Sequence, residues 1–326
     1  MYVEIARPPL ETTRSGHPRR IGVELEFAGL ECSEAGELVQ ALFGGRISWR
    51  DSYFLTVEDS TLGDFQIELD MDLAHAREAS KAGEDTALTR RLEEGFAELM
   101  GDIGSLWLPV EIACPPIELD RLPEIDSLVV ALRRAGAEGT LSGLLHAFGA
   151  QLNPEVADTS VDYVLRHLRA YLVLSDWLRE EIDVDLKRRL TPFVDPFPRS
   201  YCLDVMREGY APDLGDLIDD YIAANPTRNR ELDLLPLFLH LDPQRVRRRL
   251  PDPLIKARPT FHYRLPDSRI EDPEWSVALE WNRWVVVERL ANDPDRLAEA
   301  MAAYVEHFSS LLPLGWSEKA ARWASA

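Results

Sequence analysis

The chain has 326 residues, 45% of them hydrophobic, with 36 Lys and Arg against 57 Asp and Glu and a formal net charge of −21. The apolar content suffices for a large buried core, and the acidic balance argues against a protein held on nucleic acid mainly by phosphate neutralisation. No apolar run approaches a membrane span, the first residues carry no apolar leader segment, and Cys32, Cys114 and Cys202 form neither a disulfide framework nor a CxxC metal site, so the expectation is a cytoplasmic protein with no membrane and no nucleic-acid partner.

In chain order, residues 1–20 read as irregular, with Pro8, Pro9 and Pro18 ahead of Arg19 and Arg20. The next stretch, Ile21 to Phe27, alternates Val23, Leu25 and Phe27 with Gly22, Glu24 and Glu26. A strand of period two puts the apolar set on one face and both carboxylates on the other. Like charges next-but-one on one face are costly unless a cation lies between them, and a divalent metal with oxygen ligands meets that need. A solvated polar strand face is the plain alternative.

Residues 53–57 and 64–69 read as two more strands, joined by the turn-forming run Asp59-Ser60-Thr61-Leu62-Gly63. Residues 71–100 read as helical, Trp107 to Ile112 as a strand stopped by Pro115 and Pro116, 123–135 as a helix and 147–153 as a strand. From about 158 the period becomes helical, with Val161, Val164, Leu165, Leu168 and Leu172 behind Asp158-Thr159-Ser160 as caps. Helices with proline breaks continue to about 250. Thr260 to Leu265 returns to alternation, Phe261, Tyr263 and Leu265 against His262 and Arg264, and the remainder is helical. The expected fold is α+β, a mostly antiparallel sheet in a single domain over 1–326 with a mainly helical excursion at about 155–255.

Common catalytic motifs are absent. No lysine precedes Ser or Thr, so there is no Walker A loop, and there is no G-x-G-x-x-G, H-E-x-x-H or G-x-S-x-G. What remains is polar groups on strand faces: Glu24 and Glu26, Glu68 with Asp59 in the turn before it, Glu111, the pair Gln151 and Asn153, and the pair His262 and Arg264 with Arg269 beyond. Acids on several strands with arginine on another suit a metal–phosphate site; a polar sheet face laced with ion pairs is the alternative. His146, His167 and His240 read as structural.

Four segments resemble the amidoligase family of the carboxylate–amine ligases, the superfamily of glutamine synthetase and glutamate–cysteine ligase. Gly22-Val23-Glu24-Leu25-Glu26-Phe27 is similar to the family's opening G-x-E-x-E-F strand. Glu58-Asp59-Ser60 with Val110 to Pro116 resembles its E-D-x-S and E-[IL]-V-S-P-P pattern. Gly149 to Pro154 is similar to a strand that usually carries a metal-binding His, and Arg258 to Arg264 resembles a late strand where a metal-binding Glu and a phosphate-binding Arg stand two apart. The chain departs from the pattern twice, with Gln151 where His is usual and His262 where Glu is usual.

The resemblance implies a curved, mostly antiparallel sheet with flanking helices, glutamine synthetase-like, holding ATP and Mg²⁺ or Mn²⁺. A carboxylate substrate would take the γ-phosphoryl group, and an amine or ammonia would displace phosphate to form an amide. Glu24, Glu26, Glu111, His262 and Glu68 would bind metal. Arg264 would serve phosphoryl transfer, with Arg269, Gln151 and Asn153 near nucleotide, and Asp59 would deprotonate the amine. A metal-dependent amide hydrolase and a catalytically inactive nucleotide- or metal-binding protein are the alternatives.

Overall fold

The computed structural model describes residues 3–69, 109–141, 148–183, 194–310 and 313–325; the expected helix at 71–100, Trp107 and His146 lie outside them. Alternation produces the centre of the fold. Strand β1, Arg20–Phe27, buries Ile21, Val23, Leu25 and Phe27 and leaves Glu24 and Glu26 half-buried. The expected strands follow as β3, Phe54–Glu58, β4, Phe65–Leu69, and β5, Val110–Ala113, each burying alternate residues. With β2, Arg46–Asp51, β6, Ile117–Glu118, β7, Ala150–Pro154, β8, Leu232–Asp233, and β9, His262–Tyr263, they make one sheet. Its order is β2-β3-β4-β5-β1-β7-β9-β8, with β6 also pairing β1, and among the described residues every pairing between these strands is antiparallel. The sheet is open, and with its helices the fold is α+β.

Ten helices are present among the described residues: α1, Cys32–Phe43; α2, Leu122–Ala135; α3, Val161–Ile182; α4, Arg199–Met206; α5, Leu214–Ala224; α6, Leu235–Leu241; α7, Pro243–Arg249; α8, Val277–Ala291; α9, Pro294–Phe308; and α10, Trp316–Ala324. Their ends carry the chemistry that starts and stops helices. Ser160 Oγ accepts from the Tyr163 N–H at the start of α3, Ser276 Oγ accepts from Leu279 N–H at the start of α8, and Asp293 caps α9 ahead of Pro294. Gly136, at φ 97°, closes α2 in the left-handed region that glycine enters without strain. No helix among the described residues is long and apolar enough to cross a membrane.

Several elements depart from the sequence expectation, the two-residue strands β6 and β8 among them. Helix α1 and strand β2 were not expected: the buried side of α1 is made of Cys32, Ala35, Gly36, Val39 and Phe43, too small and mixed to give an apolar stripe, and β2 is an edge strand exposed along much of its length. The late strand is shorter than Thr260 to Leu265. Only His262 and Tyr263 join the ladder, between Pro259 and Pro266, which lack the N–H a ladder needs. Alternation persists nonetheless: Thr260 bridges Glu155, and the Phe261 N–H donates to the Pro154 carbonyl at 3.0 Å.

The core faces of β9 are held by aromatic rings. Phe261 and Tyr263 stand 5.5 and 5.4 Å, ring centre to centre, from Trp284 of α8, and Phe261 also stacks on His167 of α3 at 5.3 Å. His167 is fully buried, and its Nδ1–H donates to the Tyr163 carbonyl at 2.7 Å, consistent with the structural role expected of it. Burial, the largest influence, moves this imidazole down from 6.5 to about 4. The unfolded chain therefore binds more protons between those values, so the His167 contribution is fully present above pH 6.5 and is lost as pH falls toward 4. His167→Leu should flatten the dependence of unfolding free energy on pH in that window by up to about 1.4 kcal/mol per pH unit. Urea titrations of both proteins at intervals across the window measure it; parallel curves would exclude this role.

Candidate metal and anion site

Antiparallel pairing places directly opposed side chains on the same face of a sheet, so the register builds the site. One row runs across four strands, Phe54–Glu68–Glu111–Glu26. The next runs across five, Thr56–Gln66–Ala113–Glu24–Gln151. A third position pairs Gly22 with Asn153. Leu152 pairs with Tyr263 on the core face, which puts His262 on the polar face beside Gln151 and Asn153. Asp233 is opposite His262 on β8.

Glu68, Glu111 and Glu26 are thus three carboxylates side by side on three neighbouring strands, with Cβ atoms of opposed pairs typically about 4.5–5.5 Å apart. Opposed like charges destabilise a sheet unless a cation intervenes. Glu26 also accepts the Gly149 N–H at 2.7 Å. Among the described residues, no three His, Cys, Asp or Glu side chains stand close enough to hold a metal ion as they lie.

Beside the acids lies an amide network. Asn153 Nδ2 donates to Glu24 Oε1 at 2.8 Å. Gln151 Nε2 donates to Asn153 Oδ1 at 2.8 Å and stands 3.2 Å from His262 Nδ1. Gly22 has no side chain to displace Asn153: a Cβ there would meet Asn153 Cβ at 3.3 Å. Arg258 approaches Glu24 at 4.0 Å, and Arg264 approaches the fully buried Asp233 at 3.8 Å. Burial, opposed by Arg264, pushes the Asp233 carboxyl up to about 6. Burial first, then Arg264 and Arg258, holds His262 well below the ordinary imidazole value, so the ring is neutral near pH 7.

The structure therefore brings Glu24, Glu26, Glu68, Glu111, Gln151, Asn153 and His262 onto one face, with Arg264 at its margin. Two expected residues stand apart from the rows. Asp59 is exposed in the β3–β4 turn, where its N–H donates to Asp64 at 2.9 Å. Arg269 is tied to Asp267, at 3.7 Å, and to Asp183 at the end of α3. Asp233 and Arg258 were not singled out from sequence as site residues. Asp233 lies in a two-residue strand within an otherwise helical, leucine-rich stretch, and only its alternation with Leu232 and Leu234 marked it. All three cysteine thiols are raised chiefly by burial, which disfavours a thiolate nucleophile.

If the amide network is a unit, its members should couple. Asn153→Leu and Gln151→Leu should each cost about 1–3 kcal/mol, by leaving partners unpaired. The double variant should cost less than their sum by about 1 kcal/mol. A double-mutant cycle from urea unfolding measures this, and strict additivity would dissolve the network into separate contacts.

Comparison with known proteins places this geometry in context. A family model described as "Putative amidoligase enzyme" matches residues 17–286. No curated protein and no solved structure matches the chain. The matched span runs from before β1 into α8 and so takes in every strand that carries the polar face, and the chain belongs to the amidoligase family.

Proposed function

We propose that the chain is an ATP-dependent carboxylate–amine ligase that forms an amide through an acyl-phosphate intermediate, on a glutamine synthetase-like sheet. The observation that carries this reading is the row of Glu68, Glu111 and Glu26 beside Glu24 on one sheet face, together with membership of a ligase family. The donor set fits a hard divalent cation: Mg²⁺ takes oxygen ligands and commonly uses one or two carboxylates plus phosphate oxygens rather than a closed protein cage. Glu24, Glu26, Glu111 and Glu68 are the residues that would hold Mg²⁺ or Mn²⁺. When bound, the metal would neutralise phosphate charge and polarise the transferred group.

The chain's own residues then divide the work. Arg264 stands at the margin of the acids and supplies positive charge to the transferring phosphoryl group, an effect worth ~3 kcal/mol per well-placed donor. A substrate carboxylate oxygen attacks the γ-phosphorus, and ADP departs. The amine nitrogen next attacks the acyl carbon, phosphate leaves, and the amine proton passes to a carboxylate. Asp59, exposed in its turn and open to an incoming amine, is the proposed acceptor. Gln151 and Asn153 hold Glu24 in place on the nucleotide side, and Arg269 braces that side through Asp267, whose backbone bridges Gly149 next to Glu26.

The test is ADP formation from ATP and Mg²⁺ across a panel of carboxylates and amines. Product should need all three substrates. Arg264→Lys should lower turnover about a hundredfold at saturating ATP, because charge is retained but the planar fork is lost. ATP–Mg²⁺ affinity should change far less. A protein that binds ATP–Mg²⁺ but forms no ADP with any acceptor would be an inactive binder, and product release without ATP would mark an amide hydrolase.

The metal assignment has its own check. Glu111→Gln keeps volume and removes the middle charge of the row. The wild-type melting temperature should rise with Mg²⁺–ATP, and the variant should lose most of that rise while still folding. An unchanged ligand response in Glu111→Gln would remove the row from the metal site.

A further inference from the structure

The hydrogen-bond network beside the acids has a fixed direction. An ionised carboxylate only accepts, so Glu24 obliges Asn153 to present its NH₂ group, as the 2.8 Å contact from Nδ2 shows. The carbonyl oxygen of Asn153 is thereby turned to Gln151, whose NH₂ group must answer it, at 2.8 Å. The same Gln151 nitrogen has a second hydrogen, and His262 Nδ1 lies 3.2 Å away. Nδ1 therefore accepts, and in a neutral imidazole an accepting Nδ1 leaves the proton on Nε2. That Nε2 is buried and has no hydrogen-bond partner among the described residues, in a side chain only 6% exposed. Arg258 and Arg264 both act electrostatically on the same ring.

A histidine that ligates metal through Nε2 needs that atom bare, with Nδ1–H donating to an acceptor behind it. Here the polarity runs the other way. We infer that His262 donates its Nε2–H to an oxygen of a bound oxyanion, a phosphate or a carboxylate, instead of ligating the metal, and that Gln151 is the positioning residue that sets this tautomer. The ring and the two arginines together give the acidic face a site for the anionic end of its ligand. The exchange of residue types between the two strands then has a physical sense: the amide at 151 orients the imidazole at 262. The inference draws on the ligase reading only for the kind of anion; the tautomer stands without it.

The experiment is two-bond ¹H–¹⁵N correlation spectroscopy of the full-length protein labelled with ¹⁵N-histidine at neutral pH. The His262 signals are assigned by their loss in His262→Gln. The expected pattern is a protonated Nε2 and a bare Nδ1. It should persist in saturating Mg²⁺ alone. With chelator present, inorganic phosphate or acetate should shift the Nε2 signal, and whichever acts identifies the oxyanion class. Gln151→Met, checked for folding by its melt, should allow the Nδ1–H form to appear. A wild-type ring protonated at Nδ1 or at both nitrogens, loss of the Nε2 proton on adding Mg²⁺, or no response to either anion would each overturn the inference. A protein that shows this tautomer and anion response yet never forms ADP would lose the ligase reading and keep this one; turnover with an Nδ1–H ring would do the reverse.

Discussion

The register of β1 against β5 and β7 is the constraint on which the rest of the molecule depends. Val23, Leu25 and Phe27 are completely buried, and Val110, Ile112, Ala150 and Leu152 of the flanking strands are equally so. A slip of β1 by one residue would turn Val23, Leu25 and Phe27 to the polar face and drive Glu24 and Glu26 into the core. Hydrophobic burial therefore decides which residues stand opposite one another, and the carboxylates follow without any choice of their own. Glu26 must oppose Glu111, and Glu111 must oppose Glu68. The core thus sets three carboxylates on one face of three neighbouring strands, the kind of oxygen-rich surface on which a hard cation could be held.

The other half of the site is held by different means. β9 contributes a ladder of only His262 and Tyr263, too short to be stable by pairing alone. Its rigidity comes from below the sheet, where Phe261 and Tyr263 pack on Trp284, and from the side, where β8 pairs with it. Rings packed on one face leave His262 and Arg264 projecting to the other. The helical stretch between β7 and β9 is thus part of the site's support, since it delivers β8, Asp233 and the helix that stacks His167 on Phe261. An acid-rich half on long paired strands and a cationic half on a short buttressed strand can respond differently to a ligand that bridges them.

Much of this was legible in the sequence where period two was clean. Glu24 and Glu26 alternate with fully buried residues, Glu68 follows the buried Ile67, and Glu111 interrupts an apolar run between the buried Val110 and Ile112, so the local pattern assigned their face. What alternation cannot supply is which strand lies beside which. The neighbours Glu68 and Glu111 are joined by a pairing that sequence does not announce, and Asp233 reaches His262 only because β8 inserts at the sheet's far edge. Helix α1 was invisible because small residues make its contact surface: Gly36 packs so closely on β3 that an added Cβ would stand 3.1 Å from Leu55. The direction of the amide network was invisible for another reason. It depends on which atoms accept, a property of side-chain placement and not of residue order.

The start of β1 shows how firmly the acidic strand is anchored. Arg19 forms a two-pronged pair with Glu288 of α8, at 2.8 and 2.6 Å, and both side chains are buried. Burial disfavours each charge, yet the mutual attraction keeps the guanidinium's affinity for its proton above normal and the carboxyl's below it. Removing either partner would strand the other charge in the core, which is far more costly than losing an exposed pair. Arg19 also donates to the carbonyls of Glu155, at 2.6 Å, and Leu10, at 2.7 Å, while Trp284 Nε1–H donates to Glu288 at 2.7 Å. One guanidinium therefore ties the beginning of β1 to the end of β7 and to the helix whose tryptophan carries the rings of β9. β1 and β7, which carry Glu24, Glu26 and the amides, are thereby joined to the helix that buttresses His262, so this part of the polar face is set from the core side of the sheet.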